Sequence, residues 1–152
     1  MNEKIRILAI GGSTASGKSA LALALAQRLG GEIVSCDSMQ VYRRMNIGTA
    51  KPTAEEMARV PHHMIDIVEP SENYSCAEYI KDAERAIRDV SARGKLPIIC
   101  GGTGLYLDAL LRGSDFSEGS SPDEGVRREL FEFAEFFLSA DKHGSSLVFS
   151  KY

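Results

Sequence analysis

One segment constrains the fold of this chain more than any other. It reads GSTASGKS and comprises Gly12, Ser13, Thr14, Ala15, Ser16, Gly17, Lys18 and Ser19, which match the pattern G-x-x-x-x-G-K-[ST]. A short apolar run, Ile5–Ile10, precedes it, and an alanine- and leucine-rich run, Ser19–Leu29, follows it. The sequence therefore predicts a strand, a phosphate-binding loop (P-loop) and a helix in that order.

The P-loop motif predicts a ligand group rather than a reaction. Its glycines let the loop curl so that successive backbone N–H groups point inward, and the following helix adds the positive end of its dipole. Two or more linked phosphates fit in such a loop. We expect Lys18 to neutralise phosphoryl charge and the Ser19 hydroxyl to be a ligand of a Mg²⁺ ion that bridges phosphate oxygens.

Strand and helix signals alternate along the rest of the chain, which predicts an α/β fold: a P-loop NTPase-like parallel sheet flanked by helices, incomplete at its end. Ser75 and Glu78 have the spacing of a capping box, and Gly94 closes the helix that they open. The predicted strands are Ile5–Ile10, Glu32–Cys36, a weaker Met64–Val68 and Leu96–Cys100, and the predicted helices are Ser19–Leu29, the one after Ser75, and Leu105–Leu111.

Composition limits the class of protein. The chain has 152 residues, 43% of them hydrophobic and 26% charged, as in an ordinary single globular domain. No apolar run is long enough to span a membrane, and no signal peptide is evident, so we expect a cytoplasmic protein. Cys36, Cys76 and Cys100 lack metal-ligand spacing and are predicted to be buried thiols. The formal charge of −3 argues against a broad nucleic-acid surface but does not exclude a local basic patch.

Asp37 is the candidate catalytic group that the pattern singles out. It ends the second predicted strand, at the same carboxyl edge of the sheet as the P-loop, where open α/β proteins place their sites. Position alone allows three roles: a ligand of magnesium, an acceptor of a proton from an attacking nucleophile, or a cap of the following turn.

Four segments in order carry a resemblance to a known family. They read STASGKS (13–19), CDSMQVYRRMNIGTAKPT (36–53), PHHMID (61–66) and GGTGLYLDALL (101–111). Together they closely resemble the tRNA dimethylallyltransferases, also called tRNA isopentenyltransferases. Four motifs in the right order are far more specific than any one of them.

The resemblance implies transfer of a dimethylallyl group from dimethylallyl diphosphate to N6 of the adenosine just 3′ of the tRNA anticodon. Residues 12–19 would hold the diphosphate with Mg²⁺ on Ser19. Lys18 would stabilise the leaving group, and Asp37 would accept the amine proton. Thr103 would orient the amine or the diphosphate, although a helix N-cap is an equally good interpretation of that residue.

The target base must be flipped out of the anticodon loop to react. By resemblance, the residues that contact the tRNA are Asp37, Ser38, Met39, Gln40, Thr103 and Arg127. Gln40 could pair with a base edge, and Met39 could pack on a ring face. Arg43, Arg44 and Lys51 are either phosphate contacts or ordinary solvated charges.

The chain also departs from the family pattern. Ser13 replaces the usual proline, and the sequence from Phe136 onward no longer follows the family. We therefore divide the chain into a P-loop prenyltransferase core (1–135) and a divergent tail (136–152), with the rest of the family chain absent. The missing part predicts weak or no tRNA prenylation by this chain alone. We also expect a monomer.

Three alternatives remain open at this point. A small-molecule kinase would use Asp37 to deprotonate a hydroxyl and the P-loop to hold ATP. An adenylate isopentenyltransferase would use a free nucleotide as acceptor. A binding fragment would keep the diphosphate site without catalysis.

For the pair His62 and His63 we expect a structural role or a place in the RNA-facing loop rather than a metal site, because adjacent residues of an extended segment point to opposite faces.

Overall fold

A computed structural model describes residues 5–11, 17–46, 48–102, 106–107, 109–110 and 147–151. Five strands and three helices lie in these ranges: β1 (Ile7–Gly11), α1 (Lys18–Leu29), β2 (Gly31–Ser35), α2 (Ala54–Arg59), β3 (His62–His63), α3 (Cys76–Ala92), β4 (Leu96–Gly101) and β5 (Leu147–Lys151). Residues 106–107 and 109–110 are also helical, within the predicted Leu105–Leu111 helix.

The strands form one sheet in the order β3-β2-β4-β1-β5. β1 to β4 are parallel, which confirms the predicted α/β class and parallel sheet, whereas β5 pairs antiparallel with β1. β4 lies between β1 and β2, with Gly11 opposite Gly101 and Ser35 opposite Cys100. The carboxyl ends of these three strands therefore meet at one edge of the sheet.

The predicted strand Met64–Val68 is wrong. The third strand is only His62–His63, and Val68 makes a single isolated bridge to Tyr42. Met64 and Asp66 have φ angles of 65° and 55°, in the left-handed region, so the chain there cannot continue as an extended strand.

The helices begin and end close to the glycines and capping residues that predicted their ends. Gly17 (φ 80°) and Gly30 (φ 65°) flank α1, which begins one residue earlier than predicted and is buried along one face. The capping box of α3 is confirmed: the Ser75 side chain accepts from the Glu78 N–H, and the Glu78 side chain accepts from the Ser75 N–H. Within the described residues, no helix has the length and apolarity to cross a bilayer.

The core lies on both faces of the sheet. α1 covers one face with Leu21 and Leu25, which cluster with Leu8, Ile10 and Ile98. α3 covers the other face with a second cluster that includes Val34, Tyr79, Ala83, Ile87 and Ile99. The Tyr79 hydroxyl donates to the Ser35 carbonyl at 2.9 Å, which ties α3 to the end of β2.

Two of the three cysteines are buried thiols, as predicted. Burial raises the pKa of Cys36 and that of Cys100 to about 12, so both remain protonated at neutral pH and neither is a thiolate nucleophile. The prediction is wrong for Cys76, which is only half-buried at the start of α3.

A buried carboxylate on β2 links this strand to β3 and to the end of α3. Glu32 of β2 is only 4% exposed, and both of its oxygens accept from the Arg93 guanidinium at the end of α3. The second oxygen also contacts Nε2 of His63 at 2.6 Å. The Arg93 hydrogen bonds are the main reason that the pKa of Glu32 lies below its usual range.

This network predicts a defined loss of stability in acid. Because the folded-state pKa of Glu32 is lowered, its stabilising contribution is present above the ordinary glutamate pKa and is lost as the pH falls through the folded value. In Glu32→Gln we expect the free energy of unfolding at pH 7 to fall by about 1–3 kcal/mol. That difference should shrink between pH 5 and about pH 3, as measured by urea unfolding. An unchanged difference at both pH values would contradict it.

Candidate functional site

A cleft of about 730 Å³ opens at the carboxyl edge of the sheet. Four groups of residues line it: the start of α1, β2 and the end of β4, the segment that follows β2, and the wall formed by Glu56, His62 and Ile65. The volume falls within the range of about 300–1,000 Å³ that is usual for small-molecule sites. The cleft brings together Lys18, Ser19 and Asp37, which sequence reasoning placed in one site.

The end of the P-loop is the first wall of the cleft. Gly17 adopts a left-handed conformation, and its carbonyl accepts from the Leu21 N–H at 3.0 Å to open the helix. Lys18 is half-buried, and its carbonyl accepts a weak bond from the Cys100 thiol at 3.7 Å, which joins the loop to β4. Ser19 is exposed to the cleft. The other predicted P-loop residues, 12–16, lie outside the described residues.

Asp37 is half-buried beside this wall, and its two carboxylate oxygens have different environments. Its Oδ1 accepts from the Met39 N–H at 2.8 Å and from the Gln40 N–H at 3.3 Å, so the side chain caps the turn as one interpretation expected. Among the described residues, none donates a hydrogen bond to Oδ2. Turn capping therefore occupies one oxygen and leaves the second able to accept a proton from a molecule in the cleft.

The residues predicted to contact tRNA line the cleft next to Asp37. Ser38, Met39 and Gln40 all contribute to its wall, and Met39 is 43% exposed, an unusual position for a large apolar side chain. The Gln40 carboxamide is already engaged: Nε2 donates to two backbone carbonyls, and Oε1 accepts from Ser35. Base pairing by Gln40 stays a prediction, with one lone pair of Oε1 left for it. Thr103 and Arg127 lie outside the described residues.

Two of the three basic residues of this segment are surface charges, in agreement with one of the two interpretations, and the third is not. Lys51 is no solvated charge, because its side chain is 7% exposed and its ammonium donates to three protein acceptors. Arg43 and Arg44 both pair with Glu69 at the surface, where they remain largely exposed. Nothing in the sequence around Lys51 signals burial, which depends on contacts with residues 15 positions away.

The two histidines occupy different environments, as expected for adjacent residues of a strand. His63 pairs with the buried Glu32, a structural role. His62 lines the cleft, and its Nδ1 contacts the Val60 carbonyl at 2.7 Å. Burial lowers the pKa of His62, so a neutral imidazole faces the cleft at pH 7. Glu56, which sequence reasoning did not consider, lines the same wall.

Comparison with known proteins assigns the chain to a family. Residues 40–148 match the family model described as IPP transferase, a match that covers more than half of the chain. The chain belongs to the IPP transferase family. The resemblance drawn from the four sequence motifs is thereby confirmed.

Relatives of known name agree with the IPP transferase assignment. A tRNA dimethylallyltransferase of Geobacter metallireducens is 57% identical over 128 residues, which are 84% of this chain and 41% of that protein. The full-length tRNA isopentenylpyrophosphate transferase of Bacillus halodurans superimposes with a TM-score of 0.67 at 50% identity, over 84% of this chain and 42% of that one. The chain thus spans about two fifths of these relatives.

A more distant member of the family keeps the same fold. A eukaryotic dimethylallyltransferase acting on tRNA superimposes with a TM-score of 0.66 at 37% identity, over 78% of this chain and 30% of its own length. The α/β fold of the described residues is therefore shared with solved tRNA isopentenyltransferases. The predicted boundary between residues 135 and 136 stays a prediction.

Proposed function

We propose that this chain holds the prenyl donor and activates the acceptor amine in transfer of a dimethylallyl group from dimethylallyl diphosphate to N6 of the adenosine 3′-adjacent to the anticodon in tRNA. The observation that carries the proposal is the cleft that Asp37 shares with Lys18 and Ser19, in a member of the IPP transferase family. The P-loop suits a diphosphate, and a carboxylate at the adjacent strand end suits an amine that must lose a proton.

The reaction can be written around these groups. The C1–O bond of the donor breaks and its electron pair leaves with the diphosphate, whose charge Lys18 and the P-loop N–H groups stabilise. The N6 lone pair forms the new C–N bond, and the nitrogen becomes acidic as it does so. Its proton passes to Oδ2 of Asp37, the oxygen that turn capping leaves available.

A magnesium ion is compatible with the residues present. Ser19 and Asp37 offer a hydroxyl and a carboxylate in one cleft, the hard oxygen donors that this ion prefers. The Ser19 hydroxyl would hold the ion, which when bound would offset the charge of the diphosphate oxygens.

The acceptor side of the cleft suits a base that has left its stack. Exposed Met39 offers a polarisable apolar surface for a ring face, and neutral His62 adds a polar group on the same wall. On this proposal the partners are dimethylallyl diphosphate and a tRNA anticodon loop. A cytoplasmic, monomeric protein is the matching expectation.

One assay tests the proposed function against its alternatives. Labelled dimethylallyl diphosphate, Mg²⁺ and an excess of the 152-residue chain are incubated with tRNA, with free AMP or without acceptor, and labelled ATP is offered with a small-molecule hydroxyl acceptor in parallel. We expect transfer to tRNA alone, and single-turnover conditions detect it even if it is slow. Transfer to AMP, phosphorylation of the hydroxyl, or tighter binding of ATP than of the prenyl donor would each reject the proposal.

Removing the P-loop ammonium should weaken donor binding. Lys18→Met keeps the length of the side chain but loses its charge, so we expect the Kd for dimethylallyl diphosphate to rise about 10–100-fold, the value of one charge-assisted hydrogen bond. Isothermal titration with Mg²⁺ measures it. Lys81→Met, at an exposed position of α3, is the control with the same change of charge. Equal affinities in the two variants would contradict the role of Lys18.

A further inference from the structure

The segment that follows Asp37 forms much of one side of the cleft. We call residues 38–52 the wall loop. Its first three residues and residues 48–52 line the cleft. The segment has no regular secondary structure of its own among its described residues, so its shape depends on side-chain and backbone contacts.

The wall loop adopts backbone conformations that need support. Arg44 and Ala50 have φ angles of 63° and 50°, in the left-handed region that residues with a Cβ disfavour by roughly 1–2 kcal/mol each. Asp66, which the loop contacts, is a third such residue at 55°. Strain of this kind persists only where surrounding interactions determine the conformation.

The Gln40 carboxamide supplies the first of those interactions. Its Nε2 donates to the Thr49 and Ala50 carbonyls, each at 3.0 Å, and so joins the two ends of the wall loop across the left-handed turn. Its Oε1 accepts from Ser35 Oγ at 2.8 Å, and Ser35 is a buried residue of β2. One side chain thus attaches both ends of the loop to the sheet.

The Lys51 ammonium supplies the second. Its three donors are matched by three acceptors: the Tyr42 carbonyl at 2.6 Å, Asn46 Oδ1 at 3.1 Å and the Asp66 carboxylate. A buried ammonium is costly unless such acceptors surround it, so these contacts specify one conformation of the loop. The backbone adds to them, since the Asp66 N–H donates to the Gln40 carbonyl at 3.0 Å.

Both interactions converge on the turn that Asp37 caps. The Met39 and Gln40 N–H groups bond to Asp37 Oδ1, so the position of Gln40 helps to fix which carboxylate oxygen is engaged and which is left available. We propose that Gln40 and the Lys51–Asp66 ion pair are positioning residues that hold the wall loop and thereby orient Asp37. The consequence for turnover rests on the proposed function, whereas the consequence for loop structure does not.

Asp66→Asn is the most informative variant. Asp66 contributes no part of the described cleft lining, so its substitution removes no group from the cleft itself. Asparagine keeps the shape and tolerates the left-handed backbone at this position, and it removes only the charge opposite Lys51. Glu55→Gln is the matched control, because it removes one charge from a surface pair with Arg59 on α2, outside the wall loop.

Hydrogen exchange on the complete 152-residue chain gives the first readout. In Asp66→Asn and in Gln40→Glu we expect the wall-loop amides, including those of Met39 and Gln40, to exchange about tenfold faster or more. Amides of β2 and β4 such as Val34 and Ile99 should be unchanged, and Glu55→Gln should match the parent chain. Unchanged wall-loop exchange, or equal acceleration in the core, would overturn the proposal.

Single-turnover transfer to tRNA gives the second readout. In Asp66→Asn we expect the transfer rate to fall about tenfold or more while the Kd for dimethylallyl diphosphate changes less than about twofold, because only the acceptor side is displaced. A parallel loss of affinity and rate would mean a merely structural role and overturn the positioning assignment. If the parent chain transfers nothing, the proposed function fails, and the exchange result alone decides whether these residues hold the loop.

Discussion

Replacing Asp37 with asparagine is expected to lower the rate of dimethylallyl transfer by about 10²–10⁴-fold, the usual contribution of general base catalysis. The substitution separates the two functions of this side chain. The asparagine Oδ1 still accepts from the Met39 and Gln40 N–H groups, so the turn should keep its shape. The amide that replaces Oδ2 cannot accept a proton, so only the chemical step should suffer. Single-turnover transfer from labelled dimethylallyl diphosphate to tRNA measures the rate.

The control for this substitution is Asp89→Asn. Asp89 lies on α3 with a side chain that is 70% exposed, and the same change of charge there should leave transfer within about twofold of the parent, as for an ordinary surface substitution. Donor affinity should be retained in both variants. If Asp37→Asn abolished diphosphate binding and transfer together, the residue would serve the donor, and its assignment as proton acceptor would be wrong.

Replacing Gly101 with alanine should have the largest effect on stability. A Cβ at this position would lie 2.0 Å from the Cys36 carbonyl oxygen and 2.4 Å from its carbon, and these backbone atoms cannot rotate away. The Cys36 N–H donates to the Cys100 carbonyl at 2.8 Å, so the two strand ends are held together at the point of the clash. We expect the free energy of unfolding to fall by about 3 kcal/mol or more, as measured by urea denaturation.

A second glycine separates steric clash from backbone strain. Gly94 has a φ of 72°, but a Cβ there would have no atom within 4 Å. Gly94→Ala should therefore cost only the left-handed penalty of roughly 1–2 kcal/mol. Equal losses in the two variants would show that the strand ends move apart readily, and that the narrow spacing between β2 and β4 is not essential.

Sequence patterns predicted the elements that carry strong local signals. The strand and helix that flank the P-loop motif, the capping box of α3 and the apolar runs of β2 and β4 were all interpreted correctly to within about two residues. The six-residue α2 was missed, although Thr53 and Glu56 form a complete capping box, because none of its residues is buried and it has no apolar periodicity. The Met64–Val68 strand was predicted from apolar content, which does not report a left-handed backbone.

The same limit applies to the candidate site. Asp37 and Lys18 could be placed in one cleft from the sequence, because the carboxyl ends of parallel strands share an edge. The burial of Lys51 and the three bonds of Gln40 could not be predicted, because they join residues five to fifteen positions apart through an irregular loop. No periodicity encodes such contacts, which depend on the folded path of the loop.

The position of β4 between β1 and β2 sets the distance between the P-loop and Asp37. Two strand spacings of about 4.8 Å separate the strand that enters the P-loop from the strand that ends before Asp37, roughly 10 Å in all. The strand between them ends at Gly101, and Gly101 and the following Gly102 line the cleft without side chains. On the proposed function, a donor and an acceptor would meet over bare backbone, and any larger residue in that gap would take up the space in which the new bond forms.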